Sequence, residues 1–124
     1  MLPRRLNSAR SGPSTNLRKK RMHYQVVLQF KEDAGLDFDT LVNLEEDLLR
    51  LLEPIAEVDG HDMGSGEMNI FVLTAEPIAT FERAKPLLSD ASLLYNVAVA
   101  YRELGSDDFT VMWPKGSTEA FVVA

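Results

Sequence analysis

The sequence contains no cysteine, which removes disulfides, thiolate nucleophiles and cysteine-ligated zinc or iron–sulfur centres from consideration and fits a reducing compartment. It also lacks long apolar runs: stretches such as 70–73 and 97–100 fall far short of the roughly 20 apolar residues that a membrane helix needs. Histidine occurs only twice, with no His-Glu-x-x-His pattern, and no segment has the ligand order of an EF-hand. Repeats of solenoid length are missing too. A secretory leader is not expected, because residues 1–21 lack its apolar core.

Acid is absent from residues 1–21, and this division of charge is more informative than the overall net of −6. Seven of the thirteen basic residues lie there, leaving the remainder with six basic residues against all nineteen acidic ones, a net of −13. Rich in Arg, Ser, Gly, Pro and Asn, residues 1–21 are read as a disordered basic arm or a non-native extension. Residues 22–124 are read as a single domain, large enough for a core of its own. A body of that sign repels nucleic acid and anionic lipid and attracts cations or basic proteins. Nucleic acid is therefore expected as a partner only through residues 1–21, and a membrane is not expected.

The remainder alternates between strand and helix patterns. Residues 22–30 have apolar side chains at every second position, which predicts a strand. Asp37 is placed to cap a helix, with Leu36 and Leu41 as its hydrophobic staple and Leu41, Leu44, Leu48 and Leu51 or Leu52 as the buried stripe; Pro54 marks its end. A short strand at 55–59 and a two-faced apolar strand at 68–74 follow. Pro77 opens a second helix whose inner side is expected to carry Ile78, Phe81, Ala84 or Lys85, and Leu88, with Pro86 ending or kinking it. Strands are expected at 95–102 and 109–113, joined by a turn at 105–108.

Between the second and third strands, residues 58–71 hold three of the seven glycines, one histidine and three carboxylates. Asp59, His61, Asp62, Ser65, Glu67 and Asn69 are the candidate binding residues. Oxygen-bearing side chains with one imidazole suit Mg²⁺, Mn²⁺ or Ca²⁺, or a histidine–carboxylate pair for proton transfer, and His61, Asp62 and Glu67 are the metal candidates. The competing reading is structural: turn hydrogen bonds for the aspartates, a strand pairing for Asn69, and positive φ at the glycines. Strand alternation also divides the six between two faces. Gly64-Ser65-Gly66 does not read as a phosphate loop, since it leads into a strand and is flanked by Asp62 and Glu67.

The order strand, helix, strand, strand, helix, strand resembles the ferredoxin-like α+β sandwich over about residues 22–113. That resemblance implies two helices on one face of an antiparallel sheet, with the added C-terminal strand giving the order 5-4-1-3-2. Residues 59–71 are also similar to a segment of some short bacterial proteins of unassigned role. This implies a cytoplasmic bacterial domain and transfers no site residue. The helix-free face, expected to carry Phe71, Leu73, Val27 and Met112, requires a cover: a homodimer joined through that face, or the segment after Pro114. The leading expectation is a non-enzymatic, acidic binding module for a basic protein, immunity-type or regulatory, without a cofactor. The alternative is a metal-dependent enzyme or small-ligand sensor using the loop between the second and third strands.

Overall fold

The computed structural model describes residues 22–31 and 36–123, so residues 1–21, 32–35 and 124 lie outside it. The described elements are β1 (Tyr24–Lys31), α1 (Phe38–Leu52), β2 (Ala56–Gly64), β3 (Glu67–Thr74), α2 (Pro77–Asp90), a 3₁₀ turn (Leu94–Asn96), β4 (Val97–Glu103) and β5 (Thr110–Trp113). The strands form one sheet in the order β2-β3-β1-β4-β5, and every neighbouring pair is antiparallel. This is an α+β fold of two helices and five antiparallel strands.

Helix α1 forms where its sequence signals place it. The Asp37 carboxylate accepts from the Thr40 amide at 2.8 Å, satisfying a donor that the first turn leaves unpaired. Leu36 and Leu41 are both buried, as a staple requires. Leu41, Leu44, Leu48 and Leu52 fill the inner stripe, so Leu52 rather than Leu51 completes it. Each such leucine contributes about 1.5–3 kcal/mol of burial. The helix's far end is held by Arg83 of α2, whose Nε donates to the Leu51 carbonyl at 2.8 Å.

Pro86 does not end helix α2, and the inner side differs at Ile78. The helix continues through Pro86 to Asp90, because the apolar stripe persists as far as Leu88, which is fully buried. Tertiary packing there outweighs the amide that proline cannot supply. Ile78 is 63% exposed, whereas Thr80 is buried. The Thr80 hydroxyl lies 2.7 Å from that of Thr74 at the end of β3, so a polar pair occupies a site that hydrophobicity alone would assign to an aliphatic side chain.

The core lies between the helices and one face of the sheet, where Val26, Leu28, Phe30, Ile70, Val72 and Val99 meet the α1 leucines and Phe81, Ala84 and Leu88 of α2. Met112 and Trp113 pack against this same cluster. A register shift between the Val99–Trp113 and Ala100–Val111 pairs lets Met112 and Trp113 both reach the helix side, so Met112 does not belong to the helix-free face. Val27 and Ala100 are fully buried yet stand outside the cluster; they lie on the opposite face. Residues 117–123 run over that face without strand pairing, fixed where Gln29 Nε2 donates to the Val122 carbonyl at 2.9 Å and where the Phe109 and Phe121 rings meet at 5.0 Å. Among the described residues no helix is long and apolar enough to cross a membrane.

Candidate functional site

The region between β2 and β3 is a tight hairpin rather than an open loop. Strand β2 continues past 59 to Gly64, and only Ser65 and Gly66 lie between the strands. Both have positive φ, 54° and 79°, the backbone of a two-residue turn whose twist suits antiparallel strands. Glycine adopts this conformation freely, and its position at 66 leaves Ser65 as the single turn residue with a side chain in the left-handed region.

A bulge decides which side chains share a face. Val58 stands opposite Val72, but the next aligned pair is His61 with Ile70, so Asp59 and Gly60 are accommodated between them. Gly60, at φ 112°, takes up the extra residue. Simple alternation would put residues 58 and 61 on opposite faces; the bulge puts both on the helix side. His61 consequently faces α1. Its Nδ1 lies 2.8 Å from Glu45 Oε1, and its ring stands edge-on to Phe38 at 5.9 Å.

Asp62 falls on the other face, opposite Asn69. Asn69 is 1% exposed and its side chain is engaged: Oδ1 accepts from Gln29 Nε2 at 3.1 Å and Nδ2 approaches Glu67 Oε1 at 3.4 Å. Gln29 Nε2 also lies 3.2 Å from Glu67 Oε1. With two hydrogens and three nearby acceptors, counting the Val122 carbonyl, that amide group is shared. Asn69 and Glu67 thus belong to a network joining β1, β3 and the C-terminal segment. Ser65 is exposed at the turn and Asp59 is exposed at the bulge.

Of the six sequence candidates, the structure therefore brings together Asp62, Glu67 and Asn69 and separates His61 from them. Among the described residues no group of three or more His, Asp or Glu side chains is arranged to hold a metal ion. The chemistry available to His61 is that of a histidine–carboxylate pair with Glu45, a partner on α1 whose spacing from residue 61 gives no sequence signal.

A second constellation lies on the helix-free face. Gln25 and Arg102 are cross-strand neighbours on β1 and β4, and Arg102 Nε donates to Gln25 Oε1 at 2.9 Å while Nη1 donates to the Ser106 carbonyl at 2.9 Å. Both line an open groove of ≈ 430 Å³, together with Phe71, Phe109 and the C-terminal segment. No local pattern signals this groove, because it depends on the register of β1 against β4 and on the path of residues 121–123. The periodicity of Phe71 and the hairpin position of Phe109 were the available hints. Comparison of the chain with protein-family models, curated proteins and solved structures finds no match.

Proposed function

We propose that the protein is a cytoplasmic, ferredoxin-like binding module that engages a basic protein partner, in an immunity-type or regulatory role, rather than an enzyme. The supporting observation is the charge of one flank. Residues 36–67, which build α1, the edge strand β2 and the hairpin turn, carry ten acidic side chains and one basic one. That single cation, Arg50, is ion-paired with Asp47 on its own helix. Asp39, Glu46, Asp59 and Asp62 are exposed, so the field of this flank extends into solvent, where it accelerates encounter with a cationic surface and disfavours anionic competitors.

The edge position of β2 adds a geometric reason. It ends the sheet, and an edge strand presents backbone donors and acceptors to an extended segment of a partner. Acidic side chains at such an edge oppose self-association of identical chains and favour a basic strand. A homodimer through the helix-free face is a separate proposal, and the C-terminal segment would have to move aside for it.

The test is capture of the partner from source cells with the full chain as bait, alongside the Asp39→Lys, Glu46→Lys, Asp59→Lys triple variant. A basic protein retained in stoichiometric amount by the wild type, eluted by salt and lost by the variant is the expected result. No stoichiometric protein, or one held equally by the variant, overturns the proposal.

A further inference from the structure

On the helix-free face, Arg102 combines features that do not serve the acidic flank. It sits in a chain whose residues 22–124 have a net charge of −13, yet its side chain is held by two neutral acceptors, the Gln25 amide oxygen and the Ser106 carbonyl. Among the described residues, no carboxylate forms an ion pair with it. A guanidinium has five N–H donors, and those two bonds use Nε and one position on Nη1. The remaining donors, one N–H on Nη1 and both on Nη2, can serve the oxygens of a carboxylate.

The surroundings define what else the ligand must be. Arg102 lines the groove of ≈ 430 Å³ with Phe71 from β3, Phe109 from the β4–β5 connection and Phe121 from the C-terminal segment. This volume falls within the range of about 300–1,000 Å³ typical of small-molecule sites, and aromatic walls joined to a few polar groups, here Gln25, Arg102 and Asp107, are a usual composition for them. Asp107 also lines the groove. A second negative charge on the ligand would face it without a second cation to compensate, which disfavours phosphate esters and dicarboxylates.

We propose that this groove binds a small monocarboxylate bearing an apolar or aromatic body, with the carboxylate on the Arg102 guanidinium and the body among Phe71, Phe109 and Phe121. Gln25 is a positioning residue: its side-chain oxygen fixes Nε, and with it the direction in which the Nη groups point. The groove is built on the sheet face opposite the helices, so it can be filled while the α1–β2 flank holds a protein.

The test is titration of the full chain with 3-phenylpropionate, followed by amide and side-chain NMR shifts. 3-Phenylpropanol, which lacks the carboxylate, phenyl phosphate, which carries a dianion, and L-phenylalanine, which adds an ammonium beside Asp107, are the comparison probes. Saturable shifts confined to the strands and segments bearing Phe71, Arg102, Phe109 and Phe121 are expected with 3-phenylpropionate. The alcohol and the phosphate should bind at least about tenfold more weakly, the loss that corresponds to one charge-assisted pair. L-Phenylalanine is expected to bind at least as tightly as 3-phenylpropionate. Arg102→Lys, which keeps the charge but loses the fork, should weaken 3-phenylpropionate by a similar factor. The wild-type comparison among probes stands without that variant should it fail to fold. Equal binding of the alcohol, tighter binding of the phosphate, weaker binding of L-phenylalanine, shifts centred elsewhere, or no saturable shift would overturn the assignment.

Discussion

His61 Nδ1 and Glu45 Oε1 lie 2.8 Å apart, joining the edge strand β2 to helix α1 on the side of the sheet away from Asp62. The two side chains keep 30% and 17% of their accessible surface, so water screens the pair and its net contribution to stability is about 0–1 kcal/mol. His61→Gln, which keeps a polar contact to Glu45, is expected to shift the denaturant midpoint little. The same geometry predicts that calorimetric titration with Mn²⁺, Mg²⁺ or Ca²⁺ shows no binding that depends jointly on His61, Asp62 and Glu67. A heat lost in each of the three single alanine variants would show that these residues share an ion.

Thr74 and Thr80 form a buried hydroxyl pair at 2.7 Å, and Thr74 Oγ1 also accepts from the Glu76 amide at 3.0 Å, just before α2 begins. Thr80→Val leaves Thr74 its other partners, and about 1 kcal/mol of destabilisation is expected. Thr74→Val removes the acceptor from Glu76 and the partner from Thr80 together, so about 1–3 kcal/mol is expected. A double-mutant cycle by urea denaturation should show coupling, with the double variant less damaged than the sum of the singles. Strict additivity would mean that the hydroxyl pair contributes nothing of its own.

Among the described residues, Asp37 ties stability to pH. A side-chain hydrogen bond from Thr40, and next the bond from the Thr40 backbone amide, hold the Asp37 carboxyl below its ordinary value. A carboxyl whose folded pKa is lowered stabilises the fold above its unfolded pKa, and that contribution disappears as pH falls through the folded value. Asp37→Asn caps the helix through a neutral oxygen. It should therefore flatten the acid limb of the thermal-midpoint profile, while Asp37→Ala lowers the midpoint at neutral pH. Parallel acid limbs for wild type and Asp37→Asn would show that other carboxylates govern acid unfolding.

These contacts indicate how far the chain could be read before its coordinates. The leucine spacing of α1, its Asp37 cap and the alternation of β1 are local, and local pattern sufficed for them. The same holds for two helices against an antiparallel sheet, since element order constrains topology. Sequence reading ended where one residue changes the count. The Asp59–Gly60 bulge inverts the facing of His61 and Asp62, and glycines that signal a loop here serve a bulge and a two-residue turn. Hydrophobicity points Ile78 inward because hydroxyl pairing between Thr74 and Thr80 leaves no trace in it. Gln25 and Arg102 are 77 positions apart, and only the β1–β4 register makes them neighbours.

The C-terminal segment supplies the last prediction. Val27 and Ala100 are fully buried on the helix-free face, and residues 117–123 are the chain that passes over it, held at Gln29 by the bond to the Val122 carbonyl and at Phe109 by the ring of Phe121. Removing residues 117–124 uncovers Val27, Phe71 and Ala100 together, an apolar patch of the kind that drives association. The truncated protein should therefore show a mass that rises with concentration in light scattering, while the full chain keeps a lower one over the same range. Phe121→Ser should produce a weaker form of the same behaviour, because the Gln29 bond survives. If the truncated protein instead remains monomeric at high concentration with an unchanged thermal midpoint, the segment is not the cover that keeps this face from other chains.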